Sequence, residues 1–220
     1  MKTLLTTLLA CILLASVAQA ATYSGTLTGS GGGIIATDGW DSSQTMFTYT
    51  VTVPDGGGLV HYKYEFTVPV KGISHLIIEL SDNFTADDIF PPSIGEIDIY
   101  SAQSQGASNP GMPSPMFGVK FENGGGDELA WVVEFDSTRL PTWGDFYAKD
   151  GKDTQVDVYA YNSGFGIDPP SDIHDPDYIP PSQVVDGKIL VPDTRIPEPA
   201  TLTLLSVGLL GMFARRRAHS

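Results

Sequence analysis

Carboxylates are the side chains best placed to do chemistry in this sequence. Glu134 and Asp136 stand two residues apart, as do Glu96 and Asp98. In an extended strand that spacing puts both acids of a pair on one face, roughly 7 Å apart, within the range of a two-carboxylate hydrolase. On a strand facing water the same pattern is a solvated surface. Acids also cluster near turns: Asp82-Asn83 with Asp87-Asp88, Glu122-Asn123 with Asp127-Glu128, and Asp168 with Asp172, Asp175 and Asp177. Such clusters offer the hard oxygen ligands that calcium prefers, and equally suit loops that keep an acidic protein in solution. None completes an EF-hand loop, and no other cofactor is implied.

Nucleophilic chemistry has little to work with. There is no G-x-S-x-G elbow, no H-E-x-x-H, no P-loop and no dinucleotide fingerprint. Ser74 and His75 are adjacent, which places them on opposite faces of a strand rather than in a Ser–His pair. His61 belongs to the polar face of an alternating run. Trp40, Trp143 and Tyr147 lie in turn-rich surroundings, where rings either stack on sugars or cap the ends of a core. These residues predict a non-enzymatic protein, with a carbohydrate-binding module, with or without calcium, as the alternative and a secreted hydrolase as the third reading.

The elements that position these residues are strands. Phe47-Thr48-Tyr49-Thr50-Val51-Thr52-Val53 and Val60 to Val68 alternate apolar with polar residues, and Pro54-Asp55-Gly56-Gly57-Gly58 between them predicts a hairpin. Further strands are expected at Ser74–Leu80, Glu96–Tyr100, Phe117–Phe121, Leu129–Phe135, Gln155–Tyr161 and Lys188–Val191, with weaker ones at Thr22–Thr28 and Ile34–Thr37. Within Leu129–Phe135, Trp131 alternates inward with Val133 and Phe135. Ala86 to Phe90 reads as a single turn stopped by Pro91-Pro92, and Asp150 to Asp153 as a turn. The fold class expected is all-β: an antiparallel β-sandwich or jelly roll, flanked by an N-terminal signal peptide and one C-terminal hydrophobic helix.

Charge divides the chain. The whole carries a formal −14, which argues against a nucleic-acid partner because phosphates need a basic surface. Residues 21–196 hold 8 Lys+Arg against 25 Asp+Glu, whereas both ends are apolar and basic. Lys2, the apolar run from Leu4 to Val17 and the box Ala18-Gln19-Ala20 read as a signal peptide cut after Ala20 by signal peptidase. Cys11, the single cysteine, would leave with it. The domain plan is therefore 1–20 signal peptide, 21–191 acidic β-domain, 192–196 linker and 197–220 a terminal signal.

That last segment has three parts in order: Pro197-Glu198-Pro199, an apolar stretch over 200–214, and Arg215-Arg216-Arg217. As a helix the stretch spans roughly 22 Å, short of an approximately 30 Å hydrocarbon core, but the flanking arginines match a stop-transfer segment with its tail held inside. These residues resemble the PEP-CTERM sorting signal of Gram-negative bacteria. The resemblance covers the tail alone. It implies processing by an exosortase near Pro197-Glu198-Pro199, a transient inner-membrane intermediate, and a final place at the cell surface or outside the cell. Proteins with this signal accompany exopolysaccharide and biofilm matrix, so an extracellular polysaccharide is the partner implied.

Overall fold

The computed structural model describes residues 20–102, 109–150, 157–167 and 187–195. Of these residues 54% are in strands and 4% in helix, and the sheets are antiparallel, as the sequence predicts. In chain order the strands are β1 (Ala21–Thr28), β2 (Ile34–Ala36), β3 (Met46–Val53), β4 (Val60–Thr67), β5 (Ile73–Glu79), β6 (Ile89–Phe90), β7 (Glu96–Tyr100), β8 (Met116–Glu122), β9 (Ala130–Ser137), β10 (Arg139–Gly144), β11 (Phe146–Asp150), β12 (Tyr159–Asn162) and β13 (Ile189–Arg195). One sheet has the order β1-β3-β4-β9-β6, a second β2-β12-β11-β5-β8-β7, and β10 and β13 pair with each other. The expected signal peptide, the terminal helix over 200–214, Ala18, Pro197 to Pro199 and Arg215 to Arg217 lie outside the described residues.

Side-chain alternation builds the five-stranded sheet. Phe47, Tyr49 and Val51 of β3 and Tyr62, Tyr64 and Phe66 of β4 are all fully buried, while the intervening residues face out. The turn joining these strands carries Gly56, Gly57 and Gly58 at φ 80, 94 and 134, values that only glycine adopts without strain. The rings join the two larger sheets. Phe47 stacks on Phe146 of β11 with centroids 4.1 Å apart, and Trp40 meets Phe66 edge-on at 5.3 Å. Both sheets line one continuous apolar core.

Two of the buried rings are tyrosines for a reason. Tyr62 donates its hydroxyl to the Arg139 carbonyl at 3.0 Å, and Tyr64 donates to the Leu190 carbonyl at 2.8 Å. The inward face of β4 thus holds the backbone of β10 and of β13 at once. From Ala130 to Asp150 the chain runs as β9, β10 and β11 with single-residue breaks at Thr138 and Asp145, passing through all three sheets.

Two expectations are corrected here. Trp143 to Tyr147, read as turn-rich, form the end of β10 and the start of β11. They are buried from both sides, which erases the alternation by which a strand is recognised. Residues 192–195, read as linker, continue β13 opposite β10. Proline suggested a break. However, Pro192 sits opposite Pro141 at a register shift, where neither residue has an N–H to leave unpaired. Ala86–Asp88 is a single 3-10 turn followed by β6, in line with the turn expected there.

Candidate functional site

The paired strands β10 and β13 carry the chain to Arg195, and each end of this pair is pinned by a buried cation. At one end Arg139, fully buried, lies in register with Arg195. Its guanidinium donates to Asp88 Oδ2 at 2.9 Å, Asn83 Oδ1 at 2.8 Å and the Asn83 carbonyl at 2.7 Å, and it faces the Phe84 ring at 5.4 Å. Asp88 also accepts from the Thr138 hydroxyl at 2.7 Å and from the Thr85 N–H at 2.9 Å. Burial acts to raise the Asp88 carboxyl, but the hydrogen bonds from Arg139, Thr138 and Thr85 outweigh it and hold the group well below its ordinary range.

At the other end Lys188, next to the start of β13, donates to Asp145 Oδ1 at 2.7 Å, with both side chains at most 5% exposed. Asn162 Nδ2 donates to the same oxygen at 2.7 Å, and the Gly166 N–H donates to Oδ2 at 2.8 Å. The Asp145 N–H in turn donates to Glu79 Oε2 at 2.7 Å, and the Phe146 N–H to Asn162 Oδ1 at 2.8 Å. A carboxylate with three donors on two oxygens is held in place chemically, with its negative charge already matched. Arg139, Asp145 and Lys188 were not singled out from sequence. The available signal was a cation set against apolar residues (Lys188 beside Ile189-Leu190-Val191) in a strongly acidic body.

The acids whose spacing in the sequence points to chemistry lie elsewhere. Glu134 and Asp136 do share the outer face of β9, but each meets a basic side chain on β4: Lys63 Nζ lies 3.1 Å from Glu134, and His61 Nδ1 lies 2.8 Å from Asp136. Glu96 and Asp98 are exposed on β7, with Glu96 3.9 Å from Lys120. Asn83 and Asp88 already hold Arg139, and Glu122 pairs with Lys120 at 2.7 Å. Among the described residues no group of three or more His, Cys, Asp or Glu side chains is arranged to hold a metal ion. Asp168, Asp172, Asp175, Asp177 and His174 lie outside those residues.

The candidate sugar-stacking rings are in the interior: Trp40 and Tyr147 are fully buried and Trp143 nearly so. Trp40 instead donates its Nε1–H to the Val70 carbonyl at 2.9 Å. Trp131 packs against the core, as its alternation predicts. His75 is buried, 3.0 Å from Asn109 Oδ1 and stacked on Tyr147.

A family model described as the PEP-CTERM protein-sorting motif matches residues 195–218, so the sorting signal begins on the last residue of β13. The chain therefore carries a signal that implies processing by an exosortase and export to the cell envelope or surface. No curated protein and no solved structure matches the chain. Among the described residues no helix is long and apolar enough to cross a membrane.

Removing the Arg139 charge while keeping its bulk, as Arg139→Met, leaves the partly buried Asp88 carboxylate with only its remaining hydrogen bonds. That change is expected to cost about 3 kcal/mol in urea unfolding. Lys63→Ala, which breaks an exposed pair, is expected to cost less than about 1 kcal/mol. Equal losses would show that Arg139 does not anchor the strand pair.

Burial pushes His75 down to about 4; Glu122 opposes this, while Lys120 and Lys149 add to it. Above its ordinary value of 6.5 the ring is neutral in both states. Below that value the unfolded chain takes up a proton that the folded one refuses, so stability is lost as the pH falls towards about 4. Thermal unfolding of His75→Gln across this window should show a smaller acid-dependent loss than the parent, and an unchanged loss would remove His75 as its source.

Proposed function

We propose that this protein is a non-enzymatic, exported β-sandwich that is displayed at the cell surface or released into extracellular matrix, with a structural or exopolysaccharide-associated role. The observation that carries this reading is the sorting motif over 195–218, joined to β13 without an intervening spacer. Signal peptidase removes residues 1–20 after Ala18-Gln19-Ala20. The apolar stretch 200–214 then lies transiently in the inner membrane with Arg215 to Arg217 inside, until exosortase acts near Pro197-Glu198-Pro199. Of the acids that a hydrolase reading would use, Glu134 meets Lys63 and Asp136 meets His61 across the strands, which favours a surface role over catalysis.

The test is the fate of a Glu198→Ala, Pro199→Ala double variant. It is expected to stay in the membrane fraction at its unprocessed mass while the parent is processed and exported. If the variant is processed and exported like the parent, the sorting claim fails.

One observation favours a carbohydrate-binding role for the body. Tyr159 and Tyr161 are half-buried on the outer face of the six-stranded sheet, with centroids 6.2 Å apart and planes within 12°. Both rings pack on a second apolar cluster that includes Met112, Tyr147 and Phe165, and the parts of them that stay exposed offer a sugar apolar surface. Calorimetry of the exported protein against neutral and acidic exopolysaccharides should show heat that is lost in Tyr161→Ala. Absence of heat with the parent would leave the structural role alone.

A further inference from the structure

Among the described residues, the four outer strands of the two larger sheets differ in how they meet solvent. β6 has two residues and runs into Pro91-Pro92, and β2 has three residues. β7 carries Glu96 and Asp98. Short length, proline and charge are the ordinary means by which a sheet edge is kept from pairing with another chain. β1 has none of these. It is eight residues long, Ala-Thr-Tyr-Ser-Gly-Thr-Leu-Thr, and its inner neighbour β3 is also free of charge.

The direction of the β1 edge follows from two bonds. The Thr28 N–H donates to the Gly32 carbonyl at 2.8 Å, and so points away from β3 although Thr28 is in register with Met46, whereas the next N–H, that of Gly29, donates to the Thr45 carbonyl at 2.8 Å. In an antiparallel ladder such outward residues alternate, which places the backbone N–H and C=O of Thr22, Ser24 and Thr26 on the outer edge. On the outer face these residues already form hydroxyl rungs with β3: Thr26 with Thr48 at 3.0 Å and Thr22 with Thr52 at 3.4 Å.

We propose that this edge is a self-association site, where β1 of a second copy of the chain adds antiparallel about a two-fold axis through Ser24. In that register Ser24 faces Ser24 and Thr22 faces Thr26 in both directions, which repeats the hydroxyl pairing seen between β1 and β3. Tyr23 falls opposite Gly25, a position without a side chain, and Ala21 falls opposite Leu27. A two-fold contact must use one patch that complements itself. In a chain of formal charge −14 two copies repel through most of their surface. β1 and β3, which carry no charged side chain, offer a place where two copies can meet without bringing carboxylates together. The inference does not depend on the sorting signal.

Sedimentation of the natively exported and processed protein over a concentration series tests it. The parent is expected to dimerise reversibly. Ser24→Pro removes an outward N–H without breaking the β1–β3 ladder, and should weaken association at least roughly tenfold. A monomeric parent throughout the micromolar range, or a Ser24→Pro variant that dimerises as well as the parent, overturns the proposal.

Should the proline variant fail to fold, cysteine placement decides. Facing residues of a hydrogen-bonded antiparallel pair have Cα atoms about 5.5 Å apart, within disulfide reach. Ser24→Cys should therefore cross-link to its own copy under oxidising conditions, whereas Thr52→Cys, one strand further in, should not. Equal cross-linking of both variants, or of neither, also overturns it.

Discussion

Taking the Asp145 carboxylate and the Lys188 ammonium out of water costs several kcal/mol for each ion, and the rest of the structure is arranged so that this cost is met. Asp145 receives Lys188, Asn162 and the Gly166 N–H, while its own backbone is tied to Glu79. Those partners come from β5, β12, the turn after β12 and the residue before β13. One buried charge therefore fixes where four parts of the chain meet. Arg139 plays the same part at the far end of β10, where Asn83 and Asp88 are drawn from the loop and turn before β6. Between these two anchors the strand pair is held from the side by the hydroxyls of Tyr62 and Tyr64.

This arrangement separates the two uses that an acidic chain makes of its carboxylates. Inside, Asp145 and Asp88 are matched by cations and hydrogen bonds and act as fixed points. Outside, Glu134 and Asp136 meet Lys63 and His61 across strands in a solvent-screened setting where each pair contributes little. Surface charge then governs solubility and contact with other molecules, and the buried pairs govern geometry. The sorting motif starts where the second system ends, at Arg195 in register with Arg139.

The sequence revealed most about elements that have one wet face. β3, β4 and β9 alternate because water solvates one side, and their spans could be read almost residue by residue. β10 and β11 lie between layers with both faces covered, so Arg139, Lys149 and Asp150 look like interruptions when they are buried parts of strands, and Asp145 is buried in the one-residue break between the two. The same physics misplaced Trp143 and Tyr147, whose neighbours suggest a loop. The acids that drew attention were those with visible spacing on an open face, whereas the anchors Arg139, Asp145 and Lys188 come from distant parts of the sequence and acquire partners only through the fold. The sorting motif was legible because its recognition rests on local order along the chain.

β13 is the last part of the body to be made, and it is also an interior part. Ile189, Leu190 and Val191 fill the shared core, and the Leu190 carbonyl is the acceptor for Tyr64. A chain that stopped short of residue 188 would leave a trench through its centre, with the Tyr64 hydroxyl stripped of its acceptor and the Asp145 carboxylate of its cation. Closure of the body therefore waits on the residues that adjoin the sorting motif, and a truncated product would betray itself by failing to close.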